Sequence, residues 1–386
     1  MKQPAMSAPR VFMYVQHLLG IGHLVRASRV AEALTADGFD VVVATGGCPV
    51  EGFPGRNIRT IALPPVRAGR AGFSALEDCH GKPVGEDLKA DRVARLISAL
   101  AAERPDVIVV EAFPFGRRMM RFELLPMLDF ARAMPNPPLV ACSVRDILQE
   151  NAKPGRAEET AATIAKYFDL VLVHGDVKFA RLEETFPAAS AFRNKIVHTG
   201  FVAGPVPRPA SQAYDIIVSA GGGAAGAGLV EAALDALSSL AREQRCCLIA
   251  GPHFSGATLD GLKAAAPPCV DVFTFRADLP DLFRSAELSV SQAGYNTVCD
   301  VLQAGCRSLL VPFAKGGETE QTRRAMKLKA LGLADVLLEH EADSAQLLSA
   351  ILSLLRRPKP APHGLNLDGA AQTARLLRQQ LSTRGQ

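Results

Sequence analysis

Short apolar runs recur along the chain with the spacing of β–α–β units. They fall at 11–16, 40–45, 57–63, 106–111, 139–143 and 170–174, then at 214–219, 246–250, 270–273, 288–291, 308–311 and 334–338. The runs are continuous rather than alternating and rich in Val and Ile, as expected of strands covered on both faces in parallel sheets. Segments of helical periodicity separate them. The rhythm breaks at 201–215, "FVAGPVPRPASQAYD", where Pro and Gly cluster, and restarts at Tyr214. The pattern predicts an α/β chain of two doubly wound, Rossmann-like domains, one over 1–205 and one over 206–386, the second ending in a helical segment at 369–380. Ligands of such sheets bind beyond the carboxyl ends of the strands. The expected site is therefore the cleft where the two domains face each other, and the informative turns are those that follow strands.

Composition narrows the function classes. The chain has 386 residues, 48% hydrophobic and 21% charged, an ordinary globular balance long enough for two domains. Lys plus Arg number 43 against 39 Asp plus Glu, a net +4 with no concentrated basic stripe, so no nucleic-acid partner is expected. No stretch of about twenty apolar residues occurs, and the polar opening "MKQPAMSAPR" precedes only a short apolar run, which fits neither a membrane span nor a signal peptide. A cytoplasmic location is expected, with peripheral contact at the inner face of a membrane as an option. Phe113, Phe115 and Phe122 are candidates for such a patch, although core packing is the commoner fate. The eight cysteines show neither C-x-x-C nor zinc-ligand spacing and read as small reduced hydrophobes of a reducing compartment.

Four turns carry the candidate chemistry. In "VFMYVQHLLGIGHLVRASRVAEAL", 11–34, a strand leads through Gly20 and Gly22 to His23 and a helix. In "SAGGGAAGAG", 219–228, glycines let a backbone approach a ligand, and the following helix start offers free N–H groups and a positive dipole end suited to phosphate. Gly221, Gly223 and Gly226 there satisfy G-x-G-x-x-G, which is weak alone. A dinucleotide site also needs an acid near the end of the next strand, and neither "CCLIAGPHF" nor "DVVVATGG" supplies one, which argues against a dehydrogenase. In "SVSQAGYNTVCDVLQAG", 289–305, Gly294 turns the chain and Tyr295, Asn296 and Thr297 open a helix that suits a diphosphate. Asp300 beyond them can accept from a ribose cis-diol or simply complement the helix dipole. In "VPFAKGGETEQTRRAM", 311–326, Glu320 and Gln321 at a helix start can bond sugar hydroxyls, though first-turn acids are common for structural reasons.

Together these turns resemble the nucleotide-sugar half of the peptidoglycan N-acetylglucosaminyltransferase and its relatives, enzymes of glycosyltransferase family 28 with the GT-B fold. The resemblance rests on the "SAGGGAAG" loop, "TFRADLPDLFRSAELSVSQAGYNTVCDVLQAGCRSLLVPF" and "GGETEQTRRAMKLKALG", covers most of 214–340 and keeps order and spacing. The N-terminal half matches more loosely through the turn ending in His23, and "FPFGRR" and "SVRDIL" point to a less characterised branch of predicted glycosyltransferases. The resemblance implies that Gly221, Gly222, Gly223 and Ala224 line the donor phosphates and that the backbone at Arg276 and Ala277 meets the base. It implies diphosphate binding by Gly294, Tyr295, Asn296 and Thr297, ribose binding by Asp300 in place of the family's glutamate, and sugar reading by Glu320 and Gln321. The family has Gln-Gln at that last pair, and its fuller glycine signature before the histidine is reduced here to Leu18-Leu19-Gly20-Ile21-Gly22, so peptidoglycan synthesis is not assigned.

The expected reaction is metal-independent, inverting transfer of a sugar, GlcNAc first among candidates, from a UDP-sugar to an acceptor hydroxyl, with no metal or other cofactor. His23 is the natural base near neutral pH. Glu111, ending its strand, can orient it as a carboxylate orients a catalytic histidine. Gly20 and Gly22 allow close approach, and Arg26, Arg117, Arg118 and Arg145 can meet an anionic acceptor, although solvation explains each arginine equally well. Helix N-termini would stabilise the leaving diphosphate, and no D-x-D motif stands beside a strand. The alternatives are a UDP-sugar epimerase of the same build and a catalytically silent nucleotide-sugar-binding module.

Overall fold

The computed structural model describes residues 8–384 except 19, 51, 56, 70–71, 151–152, 222–225, 241–243 and 252–253, with backbone only at 72–74. It divides into one unit formed by 1–202 with 368–386 and a second formed by 203–367.

In the first unit the order is β1 (Arg10–Val15), α1 (Gly22–Ala36), β2 (Asp40–Thr45), β3 (Arg59–Ala62), β4 (Val66–Gly69), β5 (Gly72–Asp78), α2 (Glu86–Glu103), β6 (Val107–Glu111), α3 (Arg121–Ala133), β7 (Leu139–Arg145), α4 (Arg156–Tyr167), β8 (Leu170–His174) and β9 (Ile196–His198). The sheet is parallel and runs β3-β2-β1-β6-β7-β8-β9. β6 and β8 bury every residue, as strands covered on both faces do. Along β1, Phe12 and Tyr14 enter one core while Val11, Met13 and Val15 enter the other, the two-residue period of a strand. Strand order reverses between β1 and β6, which puts the first unit's switch point beyond their carboxyl ends.

The second unit repeats the plan with β10 (Ile216–Ser219), α5 (Ala227–Ser238), β11 (Cys246–Ile249), α6 (Ala257–Ala265), β12 (Val270–Phe273), α7 (Leu279–Ser285), β13 (Leu288–Ser291), α8 (Tyr295–Ala304), β14 (Arg307–Leu310), α9 (Glu320–Ala330), β15 (Asp335–Val336) and α10 (Ser344–Leu355). The parallel order is β12-β11-β10-β13-β14-β15, with the switch between β10 and β13.

Three features differ from the sequence reading. The last helix, α11 (Gly369–Arg384), was assigned to the second domain, but the structure places it on the first. Ala374 and Leu377 share the core of Leu24, Val30 and Leu34 on α1, and Arg378 Nε donates to Asp37 Oδ2 at 2.7 Å. The chain returns through Gly369, whose amide donates to the Phe201 carbonyl at 2.9 Å. Cys48 and Cys79, read as reduced, form a disulfide with Cα atoms 6.0 Å apart. The antiparallel β4–β5 hairpin, invisible as a pattern in "VRAGRAGFSALED", carries Cys79 back to the end of β2. That pairing removes the thiol-based argument for a reducing compartment, while Cys142, Cys246, Cys247, Cys299 and Cys306 are buried free thiols, as expected. Finally, Phe113 is buried and Phe115 and Phe122 pack against the first core, so none of the three forms an exposed patch. No helix among the described residues is long and apolar enough to cross a membrane.

Candidate active site

At the first switch point α1 begins at Gly22, so His23 sits in its opening turn beyond β1 while Glu111 ends β6. His23 Nδ1 lies 2.9 Å from Glu111 Oε1. A carboxylate only accepts, so this contact puts the proton on Nδ1 and leaves the Nε2 lone pair for chemistry. Burial, then the guanidinium of Arg117, push the His23 pKa down to about 3 against the opposing pull of Glu111. The imidazole is thus neutral at physiological pH, with a fifth of its side-chain surface (20%) exposed.

Glu111 is held on every side. Arg26 Nη2 donates to its Oε1, and Ser143 Oγ donates to its Oε2 at 2.5 Å. These contacts, led by the charge of Arg26, outweigh burial and keep the carboxyl well below its ordinary range. The chain of bonds continues inward. His174 is fully buried, which lowers its pKa to about 3 and keeps it neutral. The Ser143 proton goes to Glu111, so His174 Nε2–H donates to Ser143 Oγ at 3.0 Å and Nδ1 accepts from Thr199 Oγ1 at 2.8 Å. Parallel register explains the grouping, since Glu111 pairs with Ser143 and Arg145 with His174 across neighbouring strands.

A second buried network fixes the loops around this pair. Arg92 Nε and Nη2 donate to Glu123 at 2.6 and 2.7 Å, Nη2 to Gln16 Oε1 at 3.0 Å and Nη1 to the Gly46 carbonyl at 3.2 Å. Arg117 Nε donates to the Gln16 carbonyl at 2.6 Å. Arg117 and Arg145 line one cavity with His23 and Arg26, whereas Gly20 lies exposed in the turn before α1.

In the second unit the turn after β10 and that after β13 meet. Gly221 has φ 77°, and a Cβ there would lie 3.0 Å from Gln292 Oε1. A Cβ at Gly251 would lie 2.8 Å from the Gly221 carbonyl, so both positions exclude larger residues. Gly222, Gly223 and Ala224 lie outside the described residues. Gly294 caps α8, which places Tyr295, Asn296 and Thr297 in its first turn and Asp300, 9% exposed, in the second. Glu320 opens α9 and pairs with buried Arg324 at 2.7 Å, whose Nη1 donates to the Ala293 carbonyl at 2.9 Å. One ion pair therefore ties the start of α9 to the turn before α8. Gln321 Oε1 accepts from the Phe313 amide at 3.2 Å. Arg276 follows β12 beside Ala277, donates to both oxygens of Asp278 at 2.8 and 2.7 Å and lies over the Phe273 ring.

Sequence reasoning missed Ser143, His174, Thr199, Arg92, Arg324 and Gln292. Arg324 carried a signal, the i,i+4 spacing from Glu320. So did Arg92, which interrupts the apolar stripe of Leu96 and Leu100 on α2.

Residues 216–379 match the profile of the Glycosyltransferase family 28 C-terminal domain. The second unit carries a family 28 glycosyltransferase domain. The family 28 match runs past that unit into α11. The UDP-N-acetylglucosamine–N-acetylmuramyl-(pentapeptide) pyrophosphoryl-undecaprenol N-acetylglucosamine transferase of Thermotoga neapolitana is 23% identical over 213 residues, 55% of this chain and 57% of that protein. The chain thus matches little more than half of that relative's length. The protein of the same name from Phenylobacterium zucineum is 25% identical over 362 residues, 87% of each chain. Among solved structures, MurG of Acinetobacter baumannii matches with TM-score 0.59 and 17% identity over 97% of this chain and 99% of that one, which establishes the GT-B fold of two Rossmann-like, parallel-sheet domains.

Proposed function

We propose that the chain is an inverting glycosyltransferase that moves a sugar from a UDP-sugar, with UDP-GlcNAc the first candidate, to an acceptor hydroxyl. The observation that carries this reading is the neutral His23 with its Nδ1 proton on Glu111, set at the first switch point of a chain whose other half is a family 28 domain. The relatives named as UDP-N-acetylglucosamine transferases support the donor.

In the proposed reaction His23 Nε2 takes the acceptor hydroxyl proton, the oxygen attacks the anomeric carbon from the face opposite the diphosphate, and that carbon's bond to the diphosphate oxygen breaks, releasing UDP. Glu111 stabilises the imidazolium as it forms. The N-terminus of α8, with Gly294, Tyr295, Asn296 and Thr297, offers N–H groups to the departing diphosphate, and Gly221, Gly222, Gly223 and Ala224 are the proposed further phosphate-binding positions. Asp300 holds the ribose, the backbone at Arg276 and Ala277 the base, and Glu320 and Gln321 the sugar.

The test is thermal stabilisation by UDP, GDP, dTDP, UDP-GlcNAc and NAD with a chelator present. Ligand at 100 times its dissociation constant adds about 2.7 kcal/mol. A shift with UDP and UDP-GlcNAc is expected, and a shift with NAD alone would overturn the reading. His23→Ala should lower turnover by about 10²- to 10⁴-fold with UDP affinity unchanged, and an unimpaired variant would remove the base assignment.

A further inference from the structure

Two turns of the second unit are joined by one buried side chain. β13 and β14 are parallel neighbours, so the turn that opens α8 and the turn that opens α9 leave the same end of the sheet side by side. Arg324 on α9 is fully buried, and its guanidinium works as a fork. Nη2 donates to Glu320 Oε1 at 2.7 Å, back at the start of its own helix, and Nη1 donates to the Ala293 carbonyl at 2.9 Å, in the turn before α8. The same group lies 5.8 Å from the centre of the Tyr295 ring, on the first residue of α8. The start of α9 has further anchors. The Glu318 carboxylate accepts from the Glu320 and Gln321 amides at 2.6 and 3.4 Å, and Gln321 Oε1 accepts from the Phe313 amide at 3.2 Å. Stability alone does not call for the fork. Taking two charges out of water costs about as much as their attraction returns, and a well-packed apolar pair of similar volume often serves as well. What the fork adds is register, because a planar guanidinium holds two acceptors at a set spacing, whereas a lysine ammonium is a single compact charge.

We propose that Arg324 is a positioning residue for the donor, locking the start of α9 to the turn before α8 so that sugar and diphosphate are held in one register. The proposal rests on the reading above, in which Gly294 to Thr297 take the diphosphate and Glu320 and Gln321 take the sugar. Arg324 acts through Glu320 and Ala293 and not on the donor, since its side chain has no exposed surface (0%). The two ends of the lock differ in what else holds them. α8 is seated by its own buried residues Val298 and Val301, whereas α9 follows an exposed loop, Ala314 to Gly317. Loosening the fork therefore moves the sugar-reading pair and leaves the diphosphate turn in place. Arg324 sets how strictly the donor's sugar is read, while the affinity for UDP alone is independent of it.

The experiment is calorimetric titration of the full chain with UDP, UDP-GlcNAc, UDP-glucose and UDP-GalNAc. The parent chain is expected to prefer one of the three sugars. Arg324→Lys keeps the buried charge beside Glu320 and loses the fork. It should bind UDP as the parent does and lose about tenfold in affinity for the preferred UDP-sugar, the worth of one hydrogen bond to a charged group. Should the lysine variant not fold, Glu320→Gln/Arg324→Met, measured against Glu320→Gln, leaves no carboxylate buried alone and must show the same selective loss. Equal losses for UDP and UDP-sugar, or no loss, overturn the proposal and make Arg324 a support of the fold. A parent that binds UDP but treats the three sugars alike overturns it too, because there is then no sugar register to set. A parent that does not bind UDP overturns the glycosyltransferase reading itself, and the proposal with it.

Discussion

At the scale of single residues, the proposed chemistry depends on where protons rest in a buried row. Thr199 donates to His174, His174 to Ser143, Ser143 to Glu111, and His23 also to Glu111. Each tautomer follows from the one acceptor-only member, the carboxylate. Ser143 is the link that points Glu111 Oε1 at His23, because it alone among the described contacts occupies Oε2. Ser143→Ala frees that oxygen and lets the carboxylate turn toward Arg26. The expected result is a fall in kcat of about tenfold, the worth of one hydrogen bond to a charged group, with UDP affinity unchanged and recovery in Ser143→Thr. Equal losses in kcat and UDP affinity would mean that the residue only supports the fold.

At the scale of elements, α11 is the informative case. It lies far along the sequence from α1 yet packs on it, and the return depends on Gly369 passing against the Gly200 carbonyl and Phe201. A Cβ at 369 would strike backbone, which cannot swing aside as a side chain tip can. Gly369→Ala should destabilise by about 1–3 kcal/mol and expose 369–384 to protease before the rest of the chain, and unchanged stability and protection would show that the backbone gives way. The parallel strands were legible in the sequence because a strand buried on both faces is written as a continuous apolar run, as at 106–111 and 170–174. The β4–β5 hairpin was not, since β4, VRAG, is four residues long with only one large apolar side chain, and the pair forms a two-stranded sheet of its own. The domain owning α11 was not legible either, because amphipathic periodicity tells that a helix has an apolar face and not which core receives it. The same limit applies to the site. His23 and Glu111 stand out beside a glycine turn and at a strand end, but Ser143 and His174 are ordinary strand residues until parallel register sets their ends side by side.

At the scale of the whole molecule, each unit has its own pair of cores, one on each face of its sheet. Among the described residues each of these clusters is drawn from one unit alone, so heating should reveal two transitions that respond to different agents. The buried histidines of the first unit set its response to acid. His174 has a pKa of about 3 folded against an ordinary 6.5, so between those values the unfolded chain binds more protons and stability falls as pH falls. His23 and His17 contribute with the same sign. Glu111, held low, contributes stability above its ordinary 4.5 that is lost only below it, so lowering the pH from 6.5 to 5 isolates the histidines. His174 alone should then cost the first unit about 1.5 kcal/mol, and His174→Gln, with nothing to titrate, should lose that part of the slope. UDP should act oppositely and elsewhere, raising the second transition. Scanning calorimetry at both pH values, with and without UDP, separates the two. A single transition moved equally by acid and by UDP would show that the units unfold as one, and an acid response unchanged in His174→Gln would show that the buried imidazole is not the group that titrates.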